Sequence, residues 1–108
     1  MEKSSTGLEA NVAGLLCYVG WWVSGLVFIL IEKESKFVRF HAIQSIYVFG
    51  VLTIAMIVFG WIPFLNLVLP PLIGLFGFVL WIILMIKAYQ GAMFKLPLAG
   101  DLAEKKAG

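Results

Sequence analysis

The chain has 108 residues, 62% of them hydrophobic and only 13% charged, with a net charge of +2 and a mean hydropathy of +1.02. Water-soluble domains are about 45–50% apolar and about 25% charged, and so short a chain cannot hide the excess in one core, so lipid must be part of its solvent. The small net charge argues against a nucleic-acid partner, and a single cysteine, Cys17, excludes an internal disulfide.

The first element expected is a transmembrane helix over about 11–31, a run without charge. As a helix it measures roughly 30 Å, enough to cross the hydrocarbon core. Thr6 and Glu9 have capping-box spacing and predict a helix start near Gly7. There is no basic segment before the run and charged residues follow it, which is not the pattern of a cleavable signal peptide. Trp21 and Trp22 stand at its middle, where ring packing or a groove lining is expected rather than interfacial anchoring. Gly20 and Ser24 form a small-xxx-small pair that permits close helix approach.

A very short turn leads to a second span over about 42–62, its helix starting near Lys36 with Ser35 as N-cap and ending at Gly60–Pro63. The linker 63–69 carries no charge and only Asn66 as a polar side chain. It is expected in the headgroup region or folded back against protein. The third span, about 70–90, opens on Pro70 and Pro71, which suit a first helical turn, and closes at Gly91. Gly74 and Gly77 thin one side of it. The tail, 91–108, is polar, with Asp101 a candidate cap for a short helix. The fold class is therefore all-α: one domain, 1–108, built as an integral membrane bundle of three transmembrane helices with a short inner turn and an apolar outer linker.

Three spans place the N-terminus and the 63–69 linker on one side, with Lys3 alone. The other side holds Lys33, Lys36, Arg39, Lys87, Lys95, Lys105 and Lys106. That bias predicts N-terminus out and C-terminus in. Lys33, Lys36, Arg39 and Lys87 are expected at lipid headgroups, Lys87 by snorkelling.

The polar stretch KESKFVRFHAIQSI, residues 33–46, is the chemical centre. On a helix, His41, Gln44 and Ser45 share one face and Arg39 lies roughly opposite. A charge at the bilayer centre costs about 2.5–3.5 kcal/mol, so Arg39 belongs at the boundary. Interhelical hydrogen bonds in membranes average only about 0.6 kcal/mol, so Gln44 and Ser45 orient helices more than they stabilise them. Two readings stand: boundary anchors and packing groups, or a path lining or partner-binding cluster. One histidine with no second ligand nearby is not a metal site, and no cofactor is implied. No Walker loop, HExxH, paired-cysteine motif or GxSxG is present, and no acidic pair lies within a span, which argues against an enzyme. The chain has no internal repeat of the kind transporters rock.

The blocks EANVAGLLCYVGWW, EKESKFVRFHAIQSI and KAYQGAMFKLPLAGDLAE resemble a family of small, mostly uncharacterised prokaryotic membrane proteins. That family is itself similar to the chloroplast protein-import component Tic-twenty, an inner-envelope translocon subunit. The resemblance covers roughly residues 8–104 and points to Arg39, His41, Gln44 and Ser45, with Pro97, Gly100 and Asp101 in the tail. It implies a helical bundle of the prokaryotic cytoplasmic membrane and brings no catalytic residues. The expected function is non-enzymatic. It acts through helix–helix interaction in a homo-oligomer or membrane-protein complex, in protein translocation or membrane organisation. The rival expectation is an oligomeric pore or small-solute transporter.

Overall fold

A computed structural model describes residues 7–96 and 99–107; Thr6, with its expected cap, and Pro97 lie outside them. The described residues form five α-helices: α1 (Ala10–Val19), α2 (Trp22–Ile31), α3 (Lys36–Gly60), α4 (Leu69–Tyr89) and α5 (Ala99–Ala107). The molecule is elongated, 48 × 22 × 21 Å.

The long antiparallel pair α3 and α4 is the frame. Ser35 caps α3 as expected, its Oγ accepting from Val38 N at 3.3 Å. Pro70 and Pro71 lie in the first turn of α4. Gly91, at φ 81°, closes α4 in a Schellman arrangement: Gly91 N–H donates to Ala88 O and Ala92 N–H to Lys87 O, both at 3.0 Å. Both helices are long and apolar enough to cross a membrane, and most of their side chains face outward, Val51, Ile54, Ile57, Leu72, Leu75 and Phe78 among them. They meet through small residues, Gly77 against Leu52 and Gly74 against Met56. The linker between them holds a short 3-10 turn, Leu65–Leu67. Trp61 and Phe64 are 84% and 86% exposed there, so the linker's large side chains point away from protein rather than back onto it.

The first apolar run is not one helix, and a third full-length span is not confirmed. It breaks at Gly20–Trp21 into two ten-residue helices, each about 15 Å long, half the hydrocarbon thickness. Their contacts show the path. Asn11 Nδ2 donates to Tyr89 O, at the end of α4. Gly14 lies against Phe37, His41 and Ala88. Trp21 O receives the Ser45 hydroxyl. Gly25 then lies against Ala42 and Ser45, and Ile29 packs on the cluster around Phe40 and Ile43. The chain rises beside α3 to the level of Ser45 and returns to the level of Lys36. It is a helical hairpin that enters the bundle halfway, so residues 9–11 sit at the same end as Tyr89 and the 32–35 turn. The helix also starts at Ala10, not near Gly7.

The tail re-enters as well. Residues 92–96 run extended along His41 and Gln44. Gly100 then sits directly on the Lys95 backbone, where an added Cβ would stand 2.6 Å from its Cα. From there α5 descends beside α3, with Ala99 and Leu102 near Tyr47 and Val51 and Ala103 buried with Phe40 and Ile43. Asp101 lies in the first turn of α5 rather than at its cap.

Candidate functional site

The site is the buried polar seam where the hairpin and the tail meet α3. It begins with the break. Trp21 adopts φ 65° and ψ −130°, a region that costs a non-glycine residue about 1–3 kcal/mol. Its side chain is held on several sides. The indole stacks on Phe49 with centroids 4.3 Å apart, and Nε1 donates to Thr53 Oγ1 at 2.9 Å. The ring edge fills the space over Gly77. Non-helical backbone at membrane depth persists only where protein satisfies it, and here side chains do so. The Ser24 hydroxyl accepts from Gly20 N–H and donates to Cys17 O, both at 2.9 Å. The Trp81 indole donates to Tyr18 O. Ser45 Oγ donates to Trp21 O at 2.7 Å. The two mid-span tryptophans are thus packing residues, both set against the cluster of Tyr18, Phe49 and Leu84.

His41, Gln44 and Ser45 are all buried, as their shared face predicts. Gln44 Nε2 donates to Tyr18 Oη at 3.0 Å and to Phe94 O at 2.9 Å, while its Oε1 accepts from Leu96 N–H at 3.0 Å. The side-chain amide thereby pairs with the tail as a neighbouring strand would. Tyr18 Oη and His41 Nδ1 are 2.7 Å apart, and His41 Nε2 lies 2.9 Å from Ala92 O. A carbonyl only accepts, so Nε2 carries the proton, Nδ1 accepts from the tyrosine, and the tyrosine oxygen accepts from Gln44. The chain of bonds runs one way, from Gln44 through Tyr18 and His41 to Ala92. Edge-on contacts of His41 with Tyr18, Phe37 and Phe40 surround the imidazole with rings.

The basic residues lie apart from this seam. Arg39 Nη1 donates to Glu32 O at 2.9 Å, tying α3 to the turn before it. Glu32 closes that turn from the other side, its Oε2 accepting from the backbone N–H groups of Glu34 and Ser35 at 3.1 and 3.0 Å. Lys33 and Lys36 are exposed. Lys87 Nζ lies 5.7 Å from the centroid of the Phe94 ring, a cation–π distance. In the tail, Lys95 and Glu104 pair at 2.6 Å. Their mutual hydrogen bond raises the lysine's pKa and lowers that of the carboxyl. Gly100 is buried and Asp101 exposed.

Sequence reasoning missed Tyr18, Thr53 and Trp81 as members of the seam, and Ser24 as a cap. The signal for Ser24 was its spacing of four from Gly20. Tyr18 and Trp81 carry none, because a polar tip on an aromatic ring is invisible to hydropathy.

Two long outward-facing apolar helices around an internally satisfied polar seam define a small helical membrane protein. The chain belongs to the MamF/MmsF family, described as the magnetosome magnetite crystal formation protein family, whose model matches residues 4–103. It is 49% identical to a UPF0132 membrane protein of Methanocaldococcus jannaschii over 97% of this chain and 94% of that one. A UPF0132 membrane protein of Archaeoglobus fulgidus is 42% identical over 94% of this chain and 98% of its own length. A second protein of Methanocaldococcus jannaschii is 46% identical over 92% and 71%. No solved structure matches.

Proposed function

We propose that this chain is a non-enzymatic structural protein of the prokaryotic cytoplasmic membrane. It works through helix–helix contacts, in a homo-oligomer or a larger membrane complex. The observation that carries this reading is the destination of the seam's polar groups. Tyr18, Ser24, His41, Gln44, Ser45, Thr53 and Trp81 all bind this chain's own backbone or one another. They are engaged in shaping two re-entrant segments. Beyond Thr53, α3 reads Ile-Ala-Met-Ile-Val-Phe-Gly, and the facing half of α4 is equally apolar. A conducting stripe would need polar groups there, so the geometry favours the structural role over the pore. The outward faces of α2, α3 and α4 remain apolar and free to meet lipid or other helices.

The charged end sets the proposed orientation. Lys33, Lys36, Arg39 and Lys87 lie at the end where residues 9–11 also lie, α5 carries Lys105 and Lys106 toward it, and the 61–69 tip has no basic residue. By the positive-inside rule this end faces the cytoplasm, with both the start of the chain and its tail inside. There Lys33, Lys36 and Lys87 sit at the level of headgroups. A Tic-twenty-like part in translocation rests on the sequence blocks alone. The magnetite formation of the family description is read for this chain as membrane organisation.

Two measurements test the proposal. Purified protein in liposomes is expected to pass no ions or small solutes; robust flux abolished by His41→Ala would replace the structural reading with the pore. Crosslinking in native membranes is expected to capture a second copy or a protein partner, and recovery of an isolated monomer would defeat it.

A further inference from the structure

An apolar groove of about 300 Å³ lies between α3, α4 and the start of α5. Tyr47, Val51 and Leu52 form one wall, Phe76 and Leu80 the other, and Leu102 the floor. The groove begins one turn beyond Gln44 and runs toward the Gly60 end, within the apolar body. Its floor marks an abrupt change of chemistry. Leu102, Lys105 and Lys106 are spaced i, i+3, i+4 and share one face of α5, and all three are exposed. Because α5 descends toward the Lys36 end, the two lysines stand one turn below the groove mouth. Asp101, exposed one turn before Lys105, offsets one of these charges, so the groove has hydrocarbon above it and a net excess of ammonium groups below it.

We infer that this face binds one anionic lipid of the inner leaflet, its hydrocarbon chain in the groove and its phosphate at Lys105 and Lys106. Charge complementarity selects the occupant. An apolar protein helix laid in the groove would bring no anion to Lys105 and Lys106. A zwitterionic lipid would place its own cation against them. Tyr47 adds an aromatic ring to the groove wall. The inference goes beyond the structural role proposed above and does not depend on it: a pore of this fold would carry the same groove.

The test uses full-length purified protein, exchanged in detergent against phosphatidylglycerol or phosphatidylcholine with identical chains, and bound lipid counted by native mass spectrometry. One phosphatidylglycerol is expected to stay bound while phosphatidylcholine is lost. Lys105→Gln with Lys106→Gln is expected to weaken retention by about thirtyfold, two surface lysines' worth. Leu102→Trp on the floor, and independently Val51→Trp on the α3 wall, should expel the chain while thermal unfolding stays cooperative. Free glycerol phosphate, a headgroup without a chain, should not displace the lipid. Equal retention of both lipids would overturn the proposal. So would full retention in both tryptophan variants, displacement by glycerol phosphate, or crosslinks placing a second copy in the groove.

Discussion

Ser24 caps the helix that precedes its own. Its hydroxyl donates to Cys17 O and takes the Gly20 N–H, both at 2.9 Å, so one side chain satisfies two groups freed where α1 stops. Ser24→Ala leaves both without that partner in a region water does not reach. The expected cost is about 1–3 kcal/mol, read as a lowered unfolding midpoint in detergent. Ser45→Ala should cost less, nearer the membrane average of about 0.6 kcal/mol. One bond, to Trp21 O, is lost there, against two in Ser24→Ala. Equal losses in the two variants would contradict the capping role.

The half-depth hairpin makes a topological prediction. In a Cys17→Ala background, single cysteines at Glu9, Asn66 and Lys105 are to be labelled from one side of sealed vesicles. Glu9 and Lys105 should label together and Asn66 from the other side. Glu9 labelling with Asn66 would restore a crossing first span and remove the hairpin.

Two glycines on α2 and α3 should respond to alanine with opposite signs. At Gly25 a Cβ would stand 2.8 Å from the Ala42 carbonyl oxygen and 2.9 Å from Ser45. Backbone cannot yield as a side-chain tip can, so Gly25→Ala is expected to cost about 1–3 kcal/mol. At Gly50, also within a helix, nothing lies within 4 Å. Gly50→Ala should stabilise by about 0.5–1 kcal/mol. Thermal unfolding of both variants in one detergent gives the comparison.

Gln44 decides whether the tail stays in the bundle. Gln44→Leu removes both bonds to residues 92–96 and leaves the Phe94 carbonyl and Leu96 N–H without that partner. Hydrogen exchange over 92–107 should accelerate while α3 and α4 stay protected. Unchanged exchange in the tail would show that α5 docks through Ala103 alone.

The tail's ion pair gives docking a pH window. The Glu104 carboxyl is lowered and the Lys95 ammonium raised by their hydrogen bond. The carboxylate contribution is present above the unfolded glutamate value, about 4.3, and fades as pH falls through the lower folded value. The lysine contribution is full below the unfolded lysine value, about 10.4, and fades as pH rises through the higher folded one. Between these limits docking should be constant. The pair is exposed, so its effect should be small and should shrink with added salt. Proteolysis of the tail at pH 3 and pH 7, at low and high salt, measures it; salt-independent behaviour would assign docking to the apolar contacts.

Much of the frame was legible in residues alone. Ser35 before an apolar run, paired prolines opening α4 and Gly91 closing it act within one turn of themselves, so local chemistry was enough. The shared face of His41, Gln44 and Ser45 followed from helical periodicity. Their partners did not, because Tyr18, Ala92, Phe94 and Leu96 lie 23 to 52 positions away.

What the sequence determined by itself was where the chain is greasy, where its charge gathers and where long helices begin and end, since each depends on neighbours in the chain. Only the tertiary structure decided the path of the first apolar run. An uncharged run over 11–31 serves equally as one full span or as two half-length helices. The difference lies in whether Ser24, Ser45 and Trp81 stand ready to bond the backbone that a bend at Trp21 exposes. The tail's path was settled the same way, by a glutamine on another helix whose amide takes the place of a missing strand.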